Sequence, residues 1–324
     1  MVMSLVLYIC TALFGLLFGS FAGAMVWRLR ARQVVYDEAE YKRLKTLKKN
    51  DKATVSDQAE LDWLETTKAS RTADIKRLKP LLANTLSKDR SQCLHCHHEL
   101  AWYDLLPLVS WITSRGKCRY CKKPIGVFEP LIELGTAILF VFTYQYVVLS
   151  APVYMTLVWL IIVMLLVILV AYDYRWLLLP DRLMVPLIAL ALAYATYGIA
   201  TAAYPLQVAL GVLMSVMILS GIYLLLWLWS KGRLVGFGDI KLGLALGLLL
   251  MDWQLAILAL FLANLIGTIV VLPGLILRKL SRQSQIPFGP FLVLGFFIAL
   301  FWGKTIIEGY GAASIWLTST LLML

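Results

Sequence analysis

Acidic residues all but vanish from the second half of this sequence. From Leu134 to Leu324 the only carboxylate side chains are Asp173, Asp181, Asp239, Asp252 and Glu308. Charge of either sign is scarce, at 15% of 324 residues, where soluble globular domains carry about a quarter. That scarcity excludes an ordinary soluble domain. His95, His97 and His98 are the only histidines, and only five cysteines occur. There is no glycine-rich Rossmann unit, no internal repeat and no low-complexity tract.

Apolar residues fill the space. They make up 60% of the chain, and the mean hydropathy is +0.79. Runs of ~20 apolar residues read as membrane spans, because ~30 Å of hydrocarbon requires that many at 1.5 Å each. About eight such segments occur, at 2–26, 129–149, 152–172, 183–203, 206–230, 240–251, 254–276 and 288–303. The sixth is short enough to be a half-helix. The first is too long for a removable signal peptide and reads as a permanent span.

The basic residues orient these spans. Arg28 to Lys123 contains 21 of the 30 Lys and Arg residues. The others cluster at Arg175 and Arg182, at Lys231, Arg233 and Lys241, and at Arg278, Lys279 and Arg282, with Lys304 alone. Two proposed spans separate each cluster from the next, so all but Lys304 fall on one side. Lys/Arg-rich loops remain cytoplasmic. This predicts an outside N-terminus and cytoplasmic loops 28–128, 173–182, 231–239 and 277–287 in a plasma membrane. The net charge of +11 follows from this topology and calls for no nucleic-acid partner; the expected surroundings are membrane lipids.

The long cytoplasmic segment has two parts. Residues 33–90 are highly charged, with helical stretches at 36–49 and 57–79, a turn-like break at Asn50-Asp51-Lys52, and Asp57 with Glu60 as a capping arrangement. A solvated helical hairpin is the plain reading; a docking arm for a partner protein is the sharper one. Residues 91–126 contain Cys93-x-x-Cys96 and Cys118-x-x-Cys121, with 21 residues between the pairs. Two such pairs can set four thiolates around one Zn²⁺. Gly116 and Pro124 favour a knuckle turn at the second pair. Lasting disulfides do not suit a cytoplasmic segment, and a redox pair would stand within a thioredoxin-like pattern that is missing here. A histidine of the first knuckle could replace a cysteine ligand. Cys10, alone in the first span, reads as a packing residue.

Carboxylates beside hydrocarbon are functional candidates by default. Asp173 ends an apolar run at the cytoplasmic end of the third span. Asp239 closes Gly236-Phe237-Gly238-Asp239 just before the sixth, at the same expected depth. Two neighbouring carboxylates tend to share a proton, and such a pair can hydrolyse an amide with one group as base on water and the other as acid. Gly236 and Gly238 would permit unusual φ values and close approach of an extended peptide. The competing reading makes Asp239 a helix cap or a partner of Lys241. Asp181, in Leu179-Pro180-Asp181-Arg182, reads as the cap of the fourth span, and Asp252 as a solvated turn residue.

Several motifs in order resemble the prepilin leader peptidase/N-methyltransferase family over nearly the whole chain. They are Gly19-Ser20-Phe21 with Arg28-Leu29; the four cysteines with Trp102-Tyr103-Asp104, Pro107, Ser110 and Arg115-Gly116-Lys117; Pro130 and Glu133; Asp173 with Leu179-Pro180-Asp181; Gly236-x-Gly238-Asp239-x-Lys241-Leu242; and Ile286-Pro287-Phe288-Gly289-Pro290. The family's catalytic pair falls on Asp173 and Asp239, with Gly236, Gly238 and Lys241 as the supporting loop. The resemblance implies removal of the basic leader from type IV prepilins and pseudopilins, then methylation of the new N-terminus from S-adenosylmethionine. It also makes pilus or secretion machinery the expected partner of 33–90. The chain departs from the family at Gly23, at Gly126-Val127-Phe128-Glu129-Pro130, and in the length of 33–90.

The expected architecture is an all-α polytopic membrane protein with a zinc-knuckle domain after the first span. Its parts are a span (1–27), a charged helical insertion (28–90), a zinc domain (91–128) held by Cys93, Cys96, Cys118 and Cys121, and a membrane aspartyl protease domain (129–324). A transporter with a cytoplasmic zinc module would instead line broken helices with polar residues at the midplane, where Asn264 is the main candidate. A non-catalytic pilus assembly protein would have no need of both aspartates.

Overall fold

The computed structural model describes residues 2–50, 54–82, 90–148, 152–279 and 286–322. The protein is almost entirely helical. Among the described residues there are no strands beyond two isolated bridges, Gln92 with Glu99 and Lys117 with Pro124. The chain divides into two compact units, Met1–Ile138 and Leu139–Leu324. Among the described residues, seven helical segments are long and apolar enough to cross a membrane.

In the first unit, α1 (Val2–Lys49) runs unbroken for 48 residues, so the expected boundary after residue 27 lies inside a helix. Its apolar N-terminal half and the charged stretch 36–49 form one rod, since neither Gly nor Pro interrupts the junction. Helices α2 (Val55–Thr66) and α3 (Lys68–Leu78) both pack against it. The expected single helix 57–79 is broken at Thr67. Its opening cap also differs: the Thr54 hydroxyl and amide donate to Asp57 Oδ2 at 2.7 and 2.8 Å, and the Asp57 amide returns to Thr54 Oγ1 at 3.2 Å. This reciprocal box begins the helix without Glu60. Asn50 ends α1 through its amide, while Asp51 and Lys52 of the expected break lie outside the described residues.

The hairpin is more than a solvated pair of helices. Tyr41 and Leu44 of α1 meet Leu61 and Leu64 of α2 in a small core. Arg30 donates through Nε and Nη2 to Asp74 Oδ2 at 2.9 and 2.7 Å. Arg71, 2% exposed, donates to the Leu64 carbonyl at 2.9 Å and lies over the Tyr41 ring. Buried guanidinium groups of this kind need such partners.

Helix α4 (Val109–Thr113) is a single turn, and α5 (Phe128–Thr143) starts the second span. A Cβ added at Gly19 of α1 would lie 2.6 Å from the Glu133 Cα of α5, so a small residue sets this close crossing. Glu133 is buried and accepts the Leu108 amide at 2.8 Å. That bond holds Leu108 at φ 56°, a conformation that needs such support. Cys10 is exposed on α1, not packed.

The second unit contains α6 (Val153–Trp176), α7 (Asp181–Thr201), α8 (Pro205–Val216), α9 (Ile222–Ser230), α10 (Phe237–Leu250), α11 (Trp253–Ile276) and α12 (Gly289–Leu322). A π turn over Met217–Gly221 joins α8 and α9 into one span. The expected sixth span is α10, whose 14 residues reach only ~21 Å, short of ~30 Å of hydrocarbon. It is enclosed instead: Ile240, Leu242, Gly243 and 245–250 are all buried, against α7, α8, α9, α11 and α12. This explains apolar residues all round the helix.

Gly243 and Gly247 allow that enclosure. An added Cβ at Gly243 would run into the Leu219 carbonyl, and one at Gly247 would come within 2.8 Å of the Val216 Cα. Gly243→Ala should therefore lower the thermal midpoint of the purified chain, since overpacking costs about 1–3 kcal/mol. Gly309→Ala, which meets nothing within 4 Å, should leave it unchanged or raised.

Candidate active site and metal centre

The first Cys-x-x-Cys turn is closed by the Cys93 amide on the His98 carbonyl at 3.0 Å and the His97 amide on the Cys93 carbonyl at 2.9 Å. The second repeats the pattern: Cys118 amide to Lys123 carbonyl, and Lys122 amide to Cys118 carbonyl, both at 2.9 Å. His97 and Lys122 occupy equivalent places with φ of 56° and 60°. Nothing in the sequence marks this, because neither position is Gly or Asn. Gly116 does use a positive φ, 67°, and rests against the Trp111 indole. The His98 and Tyr120 rings stack at 3.6 Å, pairing the two knuckles.

All four sulfurs lie within 4.8 Å of one another, and Cys93 and Cys121 are 3.9 Å apart. A tetrahedral ion with ~2.3 Å bonds to sulfur requires about 3.8 Å between ligands. The donor set therefore fits a metal ion. Among the described residues no histidine nitrogen joins this group; His98 Nδ1 is 2.6 Å from the Glu99 carbonyl. The centre can be tested with cobalt(II), which should give the visible bands of a tetrahedral thiolate complex at one ion per chain. Cys121→Ser should abolish them; their persistence would mean that the metal sits elsewhere.

In the second unit, Asp173 lies in the last turn of α6. Its own carbonyl accepts the Leu177 amide at 2.8 Å, and Leu177 ends the helix at φ 56°. Its side chain is 5% exposed and accepts the Gly289 amide at 3.0 Å. That amide opens α12, so the carboxylate meets the positive end of a helix. A Cβ at Gly289 would come within 2.7 Å of Asp173 Oδ2; only glycine leaves room. The sequence signal was a Gly-Pro pair opening an apolar run, noted as a family motif but not as a carboxylate partner.

Asp239 lies in the first turn of α10, half-buried, three residues after the N-cap Gly236. Asp173 and Asp239 are within electrostatic reach of each other. Of the competing readings of Asp239, the cap keeps support, because the backbone of the N-cap Gly236 faces the Asp239 carboxylate as a hydrogen-bond partner. The pairing with Lys241 does not hold, since Lys241 reaches Asp181 instead, Nζ to Oδ1 at 2.6 Å. This also corrects Asp181, which opens α7 without capping it. Exposed pairs of this kind contribute ~0–1 kcal/mol, so the contact mainly aligns α7 with α10. Asp252 is an N-cap, accepting the Gln254 and Leu255 amides.

Neither loop glycine uses an unusual torsion, and only Gly238 is tightly packed. Gly236 has φ −74° and ψ 147°, and Gly238 is not among the positive-φ residues. An added Cβ at Gly238 would come within 3.0 Å of the Leu179 side chain, and one at Gly236 within 3.5 Å of Asp239 Oδ2. Gly238 thus leaves space for the α6–α7 connection, whereas a side chain at Gly236 would make only ordinary contact with the carboxylate.

Residues 13–147 match the Bacterial Peptidase A24 N-terminal domain, and residues 160–272 match the Type IV leader peptidase family. A prepilin leader peptidase/N-methyltransferase of Pseudomonas aeruginosa is 33% identical over 310 residues, covering 93% of this chain and 92% of the relative. The chain belongs to the type IV leader peptidase family. A relative of the same description from Aeromonas hydrophila is 35% identical over 221 residues, 68% of this chain and 74% of its own. One from Legionella pneumophila is 31% identical over 230 residues, 68% and 75%. No solved structure matches. Family membership and the apolar helices together make this a multi-pass membrane protein.

Proposed function

We propose that this chain is a membrane aspartyl endopeptidase that removes the basic leader of type IV prepilins and pseudopilins. The observation that carries this reading is the convergence of Asp173 and Asp239 at an α6 end and an α10 start, in a unit where acids are otherwise almost absent. One carboxylate is ionised and takes a proton from water as the water oxygen bonds to the scissile carbonyl carbon. The other is protonated and gives its proton to the carbonyl oxygen, forming a gem-diol. Collapse of the diol breaks the C–N bond and delivers a proton to the leaving amine, restoring one shared proton. The Gly289 amide orients Asp173 throughout. Lys/Arg-rich segments lie in the cytoplasm of a bacterial inner membrane, which puts the reaction at the cytoplasmic face.

The metal is zinc, held by Cys93, Cys96, Cys118 and Cys121. Four thiolates leave no open position for water, so its role is structural. N-Methylation of the new N-terminus is the second activity. The first unit contains a cavity of about 410 Å³, bordered by Trp27, Trp111, Glu129 and Glu133, within the size range of small-molecule sites. Glu129 Oε2 is buried there without a partner, while Oε1 accepts the Trp27 indole N–H at 3.1 Å. An acidic oxygen beside an aromatic face fits the cationic sulfonium of S-adenosylmethionine, which would supply the methyl group when bound.

Asp173→Asn and Asp239→Asn should each abolish leader removal from a purified prepilin, read as the mass of the product. Asp181→Asn should retain most of it. Near-normal cleavage by either of the first two variants would rule out the two-carboxylate mechanism. Zinc should be found at one equivalent per chain by elemental analysis and be lost in Cys93→Ser, and a different metal in its place would refute the zinc assignment alone.

A further inference from the structure

Tyr223 on α9 is 5% exposed, and its hydroxyl oxygen is buried with no hydrogen-bond partner. A buried hydroxyl without a partner costs about 1–3 kcal/mol, and such groups call for an explanation. The Asn264 side chain of α11 lies close enough to act on the phenol oxygen as a donor, but not at hydrogen-bond geometry, and it gives its amide to the Leu260 carbonyl at 2.8 Å.

The surroundings tie this phenol to the aspartate site. Ser220, one turn earlier on the same face, donates to the carbonyl of Ile240, the residue after Asp239, at 2.9 Å. Residues of that face therefore abut the first turn of α10. The Tyr223 ring meets Phe288 edge-to-face at 5.5 Å, and the next residue, Gly289, holds Asp173. The phenol is also within electrostatic reach of Asp239. Tyr223 is thus wedged between the supports of the two carboxylates, and its one strong donor is unused.

We propose that Tyr223 is a further catalytic residue, whose hydroxyl donates a hydrogen bond to the carbonyl oxygen of the scissile peptide. The bond strengthens as negative charge gathers on that oxygen during attack by water. No proton leaves the phenol: the water proton passes to one aspartate and the carbonyl oxygen is protonated by the other. The donor is preorganised because the Phe288 contact and enclosure by neighbouring helices lock the ring before substrate arrives. This inference rests on the endopeptidase reading of the same site.

The test compares the wild type, Tyr223→Phe and Asp173→Asn in full-length protein, using a prepilin substrate and a non-cleavable peptide with a hydroxyethylene at the scissile position. Tyr223→Phe should lower kcat by about 10²-fold, the usual loss on removing one such donor, and leave KM within about twofold. It should bind the tetrahedral analogue more weakly by a similar factor. Its thermal midpoint should be unchanged or higher, because no hydrogen bond of the free protein is lost. If the wild type cleaves, Asp173→Asn does not, and Tyr223→Phe matches the wild type, this inference alone fails. A Tyr223→Phe chain that is destabilised or does not fold also overturns it, because the hydroxyl would then be holding structure. A wild type that leaves prepilin intact defeats both readings.

Discussion

A carboxylate enclosed by apolar helices has to be given a donor or a neighbour that tolerates its charge. Asp173 has the Gly289 amide for this purpose, and much of the second unit is arranged around that bond. It requires α12 to begin beside the last turn of α6. It requires glycine at 289, because a Cβ would displace the carboxylate. It also places Pro290 in the first turn of α12, where a missing N–H costs nothing. The helix start that opens the last span is therefore also the electrostatic support of the site.

The helix that carries Asp239 is short, at 14 residues, and enclosed. It is surrounded by neighbouring helices, and its glycines let the π turn of α8–α9 come into backbone contact. The π turn supplies Ser220 and, two residues into α9, Tyr223. Such turns concentrate at functional sites, and this one faces the first turn of the helix that holds Asp239.

The first unit solves a different problem. Residues 91–126 have too little apolar material for a core of their own, and two isolated bridges are their only β pairing. Their order comes from two equivalent cysteine turns and a His98–Tyr120 stack, and the four clustered sulfurs can hold a metal ion, which when bound would add the folding energy that hydrophobic burial cannot. The hairpin of 33–82 uses a third device, a small aliphatic and aromatic core flanked by buried Arg30 and Arg71. That arrangement turns charged residues, which read as a solvated surface, into internal ties.

The sequence by itself determined the all-helical membrane class, the four-cysteine cluster and the two aspartates worth comparing. Each of these signals is local or compositional: an apolar run, a two-residue spacing, a rare acid in an apolar stretch. Partner choice was decided only by the tertiary structure. Lys241 lies two residues from Asp239, yet it pairs with Asp181, 60 positions away. The Gly289 amide reaches Asp173 across 116 positions. Thr54, not Glu60, completes the cap at Asp57, and Arg30 finds Asp74 from the far end of the hairpin. Hydropathy and spacing say which residues must be buried or can bind a metal. They carry no information on which helix end meets which, and that meeting sets the hydrogen-bond partners on which the chemistry depends.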